Sequence, residues 1–457
     1  MILIGLLLVI LFGYSLSRPF GNKFSVIEDL GLSYILGIGI FAWLMYSLSG
    51  LGLKITLGNY LTILILLITL FYLVFGRRFN IFAKLRKLLG GKVFEKREKI
   101  LIGFIVILLV IAFVHAIYWP VNVWDSLVLY DFRAKVISEK GFFLQISRDF
   151  EYFAHYPPLT SLAHVWIYLL NGSNPRILYF LFFLAFIGVF YAKLRERLRR
   201  FSSLFLLLLL VSIPALLHHS TFSYTNLPYT IYLSLGFIYL HDFLVDKNTN
   251  SLKISAILLG LSTFTRQHEP FWLVGILLLF LYLLIKREHF KDILISIVIF
   301  FLIYLSWKIF ELSLEASSYG NPDYVLFARL GFDQIFNLKR VYEVLVFFYK
   351  NILSYWGFVL FLFSLNVAWD FKKGMDKAKR WFLLIVLGNL ALFLGGIYIF
   401  SLTYPTWKEI PDSAQRLSMF FFPLFIYYCS LSDLVNSSTK SFITSLPTLR
   451  NPKRLRP

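Results

Sequence analysis

Residues 159–170 read LTSLAHVWIYLL, and they open straight after Pro157-Pro158. The stretch is apolar, and prolines suit the first turn of a helix. A helix of these twelve residues would cover only about 18 Å, against a hydrocarbon core of ~30 Å. If it crosses, every later loop changes sides. If it lies at the interface or dips in, the loops before and after it share one side. The reading of this stretch therefore sets the topology of the whole chain.

The surrounding composition shows why topology is the question. The chain has 457 residues, of which 58% are hydrophobic, 19% aromatic and only 15% charged. A soluble domain of this composition has too little polar side-chain material to cover itself. Apolar runs of spanning length recur at 1–17, 29–49, 57–76, 99–118, 176–193, 201–217, 226–245, 252–266, 270–286, 291–310, 351–369, 381–402 and 415–434. These predict an all-α, polytopic helical membrane protein with about 13 transmembrane helices. The opening MILIGLLLVILFGYSL lacks a basic n-region and reads as a span rather than a cleaved signal. Cys429 is the only cysteine, which leaves no disulfide framework and no cysteine-based metal site.

Charge decides the doubtful stretch. With 159–170 not crossing, the loops 77–99, 193–200, 286–291, 370–380 and the tail 435–457 fall on one side. That side then holds 31 of the 45 Lys and Arg but 12 of the 25 Asp and Glu. All but one unit of the formal excess of +20 lies there, as the positive-inside rule expects of a cytoplasmic face. If 159–170 crossed, the asymmetry would collapse. The basic balance thus reports insertion and contact with anionic membrane lipids, and not nucleic acid. The N-terminus is expected outside and the C-terminus inside. Long outer loops run over 119–175 and 311–350, and a shorter one over 403–414. We divide the chain into a three-span leader with a basic inner linker (1–98), a membrane core (99–350) and C-terminal spans with a basic tail (351–457).

The first outer loop is the richest in chemistry. Trp124-Asp125 precedes a helix expected over 126–140, and Gly141 fits its stop. Asp125 suits the positive end of that helix, so a capping role is the simplest reading. Asp131 and Lys135 are spaced to pair on a solvated face, and Arg133 lies between them. His155, two residues before Pro157, could ligate a divalent metal, bind a phosphate or only hydrogen-bond. His164, on the apolar stretch, suits a satisfied buried histidine, and His218-His219 are ambiguous in the same way. Thr265-Arg266-Gln267-His268-Glu269-Pro270 forms a tight outer turn. Arg266 there is an interface anchor or a bidentate partner for phosphate oxygens. Arg416 follows the loop 403–414. Acids and guanidinium groups beside deep apolar helices suit a substrate with a charged head and a lipid tail.

Absences narrow the field. Span centres carry almost no ionisable residues, unlike ion-coupled transporters. There is no GxxxxGK[ST] and no HExxH.

The order of these features resembles the GT-C fold, the polyprenyl-phosphate-sugar-dependent glycosyltransferases. The nearest branches are the dolichyl-phosphate-mannose protein mannosyltransferases and the lipid A aminoarabinose transferases. The family has an acid early in the first outer loop, then an amphipathic helix ending in glycine. Here that is Trp124-Asp125 through Arg133-Ala134-Lys135 to Gly141. A juxtamembrane "PPL" helix follows, here Tyr156-Pro157-Pro158-Leu159 through Asn171-Gly172, with Arg176 opening the next span. A basic "TK/TR" turn follows, here Thr265-Arg266. The likeness covers about 99–350 and more loosely 351–434; the leader 1–98 has no counterpart. Asn226 stands where a second carboxylate is usual, and His155 where some relatives have Glu.

The resemblance implies sugar transfer from a polyprenyl phosphate to a glycan, lipid or protein acceptor on the outer face of the plasma membrane, in building a cell-envelope glycan. Asp125 would take the acceptor's proton. Arg266 and Arg416, with His155 and Arg176, would meet the charge developing on phosphate. Asp131, Arg133, Trp124 and Tyr156 would line the substrate region, with the aromatics equally suited to an interfacial belt. No cofactor is assigned with certainty, and a divalent metal stays open. Three other readings compete: a lipid-linked glycan flippase or exporter, a non-catalytic membrane assembly protein in which Asp125 is only a cap, and an O-antigen-type polymerase or ligase, which shares the chemistry class.

Overall fold

The computed structural model describes residues 1–20, 24–76, 94–143, 156–266, 269–315 and 337–435. Every regular element among them is helical. The chain is an all-α membrane protein, and among the described residues eight helices are long and apolar enough to cross a bilayer.

The first three helices, α1 (Ile2–Ser17), α2 (Val26–Gly50) and α3 (Leu57–Phe75), form the leader. Ser25 and Thr56 cap α2 and α3 by accepting from Glu28 and Asn59, which satisfies donors the first turn leaves free. α1 and α2 pack backbone to backbone: a Cβ on Gly13 would lie 1.8 Å from the Ser33 carbonyl. Small residues permit such approach between membrane helices. α4 (Lys96–Tyr118) begins at a capping box of Glu95 and Glu98.

A π-helical turn (Ser126–Asp131) then runs into α5 (Phe132–Lys140), which Gly141 stops in the left-handed region at φ 79°. After α6 (Leu159–Leu169) come α7 (Ile177–Arg197), α8 (Arg200–Val211), α9 (Pro214–His219), α10 (Asn226–Asp246), α11 (Thr249–Thr265), α12 (Trp272–Lys286) and α13 (Phe290–Glu315). Beyond residue 336, α14 (Leu338–Phe347) continues through a π turn into α15 (Ser354–Lys373), and α16 (Lys377–Thr403), α17 (Pro411–Leu417) and α18 (Phe421–Leu431) close the chain.

Against the expected count of about 13 crossings, eight helices among the described residues have the length and apolarity to cross. Each of the other five segments has an identifiable reason. Pro214 splits 201–217 into the 12-residue α8 and the 6-residue α9, because proline lacks the donor a continuing helix needs. The stretches 252–266 and 270–286 become helices of 17 and 15 residues. The last segment breaks at a 3₁₀ turn, Ser418–Phe420, leaving an 11-residue α18. α10 is long, but it carries Tyr229, Tyr232, Tyr239, His241 and Asp242, all buried.

Contacts sort the helix ends into two sets. At one end Lys193 of α7 sits 3.0 Å from each of Glu28, Glu196 and Asp242. Nearby pairs join Arg200 to Glu98, Arg197 to Asp246, Lys253 to Asp292 and Lys379 to Asp370 and Asp433. At the other end Ser126 donates to the Ser223 carbonyl, Arg266 meets Thr225 and Arg416 meets Asp125. α6 stays with this second set. Before it, Arg133 holds the Tyr156 and Pro157 carbonyls; after it, Arg176 holds those of Pro120 and Thr221. The stretch 159–170 thus returns the chain to the end it came from, as the charge distribution requires.

Lys193 is nearly fully buried together with Glu28 and Asp242. Removing one partner of such a group strands the others in low dielectric, at about 3–5 kcal/mol. Lys193→Met is therefore expected to lower the unfolding temperature markedly in detergent, and an unchanged melting curve would show that the cluster does not lock α2, α7 and α10. Single cysteines placed at 125 and at 195, with Cys429→Ser, are expected to react with an impermeant maleimide from opposite sides of a sealed vesicle.

Candidate functional site

The loop after α4 carries the chain from Trp119 to Asp125, where the π turn begins. Asp125 makes no capping hydrogen bond to that turn. Its carboxylate faces Arg416 instead, with 3.6 Å between Oδ2 and Nη1, and it is 44% exposed. The simple capping role is thereby overturned. Arg416 belongs to the short α17, where Nη2 also meets Asp412 at 3.0 Å. Its guanidinium lies over the Tyr224 ring, 5.3 Å from the centroid, a distance at which the ring face attracts a cation. Burial and the neighbouring Asp125 carboxylate push the Tyr224 phenol up.

Three consecutive residues organise this end. Ser223 gives its carbonyl to Ser126, Tyr224 meets the Asp125–Arg416 pair, and Thr225 meets both Arg266 and Tyr130. Arg266 and Arg416 are therefore brought to neighbouring places by one short segment. Arg266 is already engaged: Nε and Nη2 both reach Glu269 Oε1, at 2.8 and 2.6 Å. It is a cation already paired behind Thr225.

Beneath Arg416 lies a cavity of about 710 Å³. α4 contributes Ile111, Ala112 and His115; the chain from Pro214 to Tyr224 contributes Leu217, His218, His219 and Phe222; Tyr355, Asp412 and Arg416 close it from the other side. Most of this wall is apolar. Ile111 is 56% exposed on a helix largely unburied by protein, so the cavity borders the lipid-facing side of α4. Burial, with His218 and Arg416 close by, pushes the His219 imidazole down to about 3. It is neutral at physiological pH.

Several residues expected in the substrate region hold structure instead. Arg133 is fully buried and donates to Ser161 and to the Tyr156 and Pro157 carbonyls. It pins the double-proline entry to α6. Arg176 donates to Thr221, Pro120 and His115, which makes it a tie between α4, α7 and the 221–225 segment, not a phosphate ligand. Asp131 is buried among Tyr168, which donates to it, Lys135 at 2.9 Å and His164 at 3.6 Å. Burial pushes its carboxyl up, but these three partners outweigh that and hold it at about 2. Tyr156 packs edge-on against Tyr130. Trp124 is 73% exposed, as an interfacial belt residue would be. His155 lies outside the described residues. Among those that are described, no group of three His, Cys, Asp or Glu is placed to hold a metal ion.

His115 and Tyr355 were not legible as site residues. His115 looks like any residue near a span end, and Tyr355 like any aromatic of an apolar helix. His218-His219 were visible but ambiguous; the break at Pro214 is what turns them into the cavity wall.

The division of labour predicts a division of effects. Arg176→Ala leaves three acceptors without their donor, and a stranded buried acceptor costs about 1–3 kcal/mol. It is expected to lower thermal stability clearly, whereas Asp125→Asn, in an exposed 3.6 Å pair, should shift it little. Equal destabilisation would make Asp125 a structural residue. No family model, no curated protein and no solved structure matches the chain.

Proposed function

We propose that this protein is a membrane glycosyltransferase of GT-C type, moving a sugar from a polyprenyl-phosphate donor to an acceptor on the outer side of the plasma membrane. The single observation that carries the reading is the exposed Asp125 carboxylate beside the Arg416 guanidinium, at the mouth of an apolar cavity that borders lipid. It also takes the five segments that fall short of the eight in length or apolarity (α8 with α9, α10, α11, α12 and α18) to cross the bilayer as well, which puts Asp125 opposite the basic face.

In this reading the ion pair is the resting state. A donor phosphate draws Arg416 from Asp125, because a guanidinium suits phosphate oxygens as well as carboxylate. That frees Asp125 Oδ2 to take the proton of the acceptor hydroxyl as its oxygen attacks the anomeric carbon. The bond from that carbon to the phosphate oxygen breaks, and the leaving phosphate keeps the electron pair against Arg416. Each group is asked for charge stabilisation where it develops. Arg266, neutralised by Glu269, supports the Thr225 segment and is not asked to bind phosphate.

The test is purified protein in lipid nanodiscs with a panel of polyprenyl-phosphate sugars, reading sugar release and transfer by mass spectrometry. Asp125→Asn is expected to reduce transfer by about a hundredfold or more, and Arg416→Ala to raise the donor concentration needed. Full transfer by Asp125→Asn would end the assignment of the base. Donor moved across a vesicle uncleaved would favour the flippase reading.

A further inference from the structure

The cavity carries a second recognition problem that phosphate chemistry leaves unanswered. Its charged residues come close to cancelling: Arg416 already faces the carboxylates of Asp125 and Asp412. An anion placed deeper in the cavity would find no further cation on its wall. It would find imidazoles instead. His115 Nδ1 lies 3.0 Å from Arg176 Nη2. A guanidinium only donates, so Nδ1 is the acceptor and the His115 proton is on Nε2. His219 is 5% exposed, and its Nδ1 is enclosed without a partner. Enclosed, Nδ1 is stranded as donor or as acceptor, so only Nε2 can exchange a hydrogen bond with a ligand, and we assign the proton there. The cavity wall therefore offers two neutral N–H donors, from His115 and His219. Aromatic rings stand beside them: Phe222 and Tyr224 lie about 6 Å from the His219 ring. The wall also carries His218, Thr221 and Gln415, and its apolar part, Ile111, Ala112 and Leu217, continues onto the lipid-facing side of α4.

We propose that this cavity binds an uncharged, hydroxyl-bearing amphiphile, whose head oxygens accept from His219 and His115 and whose chain lies along Ile111 of α4. Neutral N–H donors suit neutral oxygens, aromatic faces suit the C–H faces of a polyol ring, and an apolar exit suits a chain that stays in the bilayer. That this amphiphile is the sugar acceptor rests on the transferase reading above; the binding site itself does not.

The experiment uses full-length protein in nanodiscs and three chain-diazirine probes: an alkyl glucoside, an alkyl phosphate and a headless alkane of equal length. Labelled peptides are mapped by mass spectrometry. The glucoside is expected to label peptides spanning 111–115 and 214–224 about fivefold more than the headless probe, the preference one or two net hydrogen bonds can give. That preference should vanish in His219→Phe and return in His219→Gln, which can still donate. Equal labelling by the headless probe in the wild-type protein would overturn the site, and this arm needs no variant to fold. Stronger labelling by the alkyl phosphate would overturn it too, by assigning the cavity to a phosphate headgroup. Labelling requires no turnover. Protein that shows the glucoside preference but transfers no sugar would sink the transferase and keep the site, and the converse result would do the reverse.

Discussion

A buried guanidinium must find acceptors for its donors, and two of this protein's buried arginines find them in backbone far along the chain. Arg133 ties α5 to the Tyr156-Pro157 entry of α6, and Arg176 ties the start of α7 to the exit of α4 and to Thr221. Between them the described residues from Tyr118 to Phe143 and from Tyr156 to Ile177 are held at one end of the bundle. Backbone carbonyls at a membrane boundary need donors as much as the arginines need acceptors, so each contact answers two demands. The consequence reaches the site directly. Asp125 lies in the segment that Arg176 pins, and the 221–225 segment, also pinned by Arg176, brings Tyr224 to it. Without this pair of ties Asp125 would have no fixed neighbour.

The two ends of the bundle use charge in opposite ways. Around Lys193 the carboxylates are buried and closely packed, joining α2, α7 and α10. Three oxygens at 3.0 Å around one ammonium leave no vacancy for a ligand, and the group reads as a lock. Around Asp125 the pair is looser, half-exposed and shared with Asp412. An exposed pair contributes little to stability. Geometry that contributes little to stability and is held by rigid neighbours is available for exchange with a ligand, which is why the functional reading attaches to this end.

How much of this could be read from the chain alone differs by kind of signal. The all-α membrane class followed from composition, and the non-crossing of 159–170 from charge, because both are sums over many residues. Gly141 as a helix stop and Asp131–Lys135 as a pair followed from local spacing, which local backbone geometry sets. Arg176 and Arg133 were misread as substrate residues, since nothing local distinguishes an arginine that holds carbonyls from one that holds phosphate. The same limit hid the pairing of Arg416 with Asp125, 291 residues apart in sequence. Burial of Lys193 was missed for the same reason: it stands in YAKLRER, a stretch that reads as a solvated basic turn.

The crossing count failed at one residue with the largest consequence. The run 201–217 is apolar enough for a span, yet Pro214 cannot donate to the turn before it, and a proline inside a helix costs about 3 kcal/mol. The chain answers by ending α8 at Val211, leaving Ile213 extended and restarting with Pro214 in the first turn of α9, where its missing donor costs nothing. The restart offsets α9 from α8 and puts His218 and His219 on the same wall as His115. A helix continued straight through 214–219 would present these residues on the α8 axis, away from Arg416. The feature that shortens this segment as a membrane crossing is thus the one that makes room for a ligand.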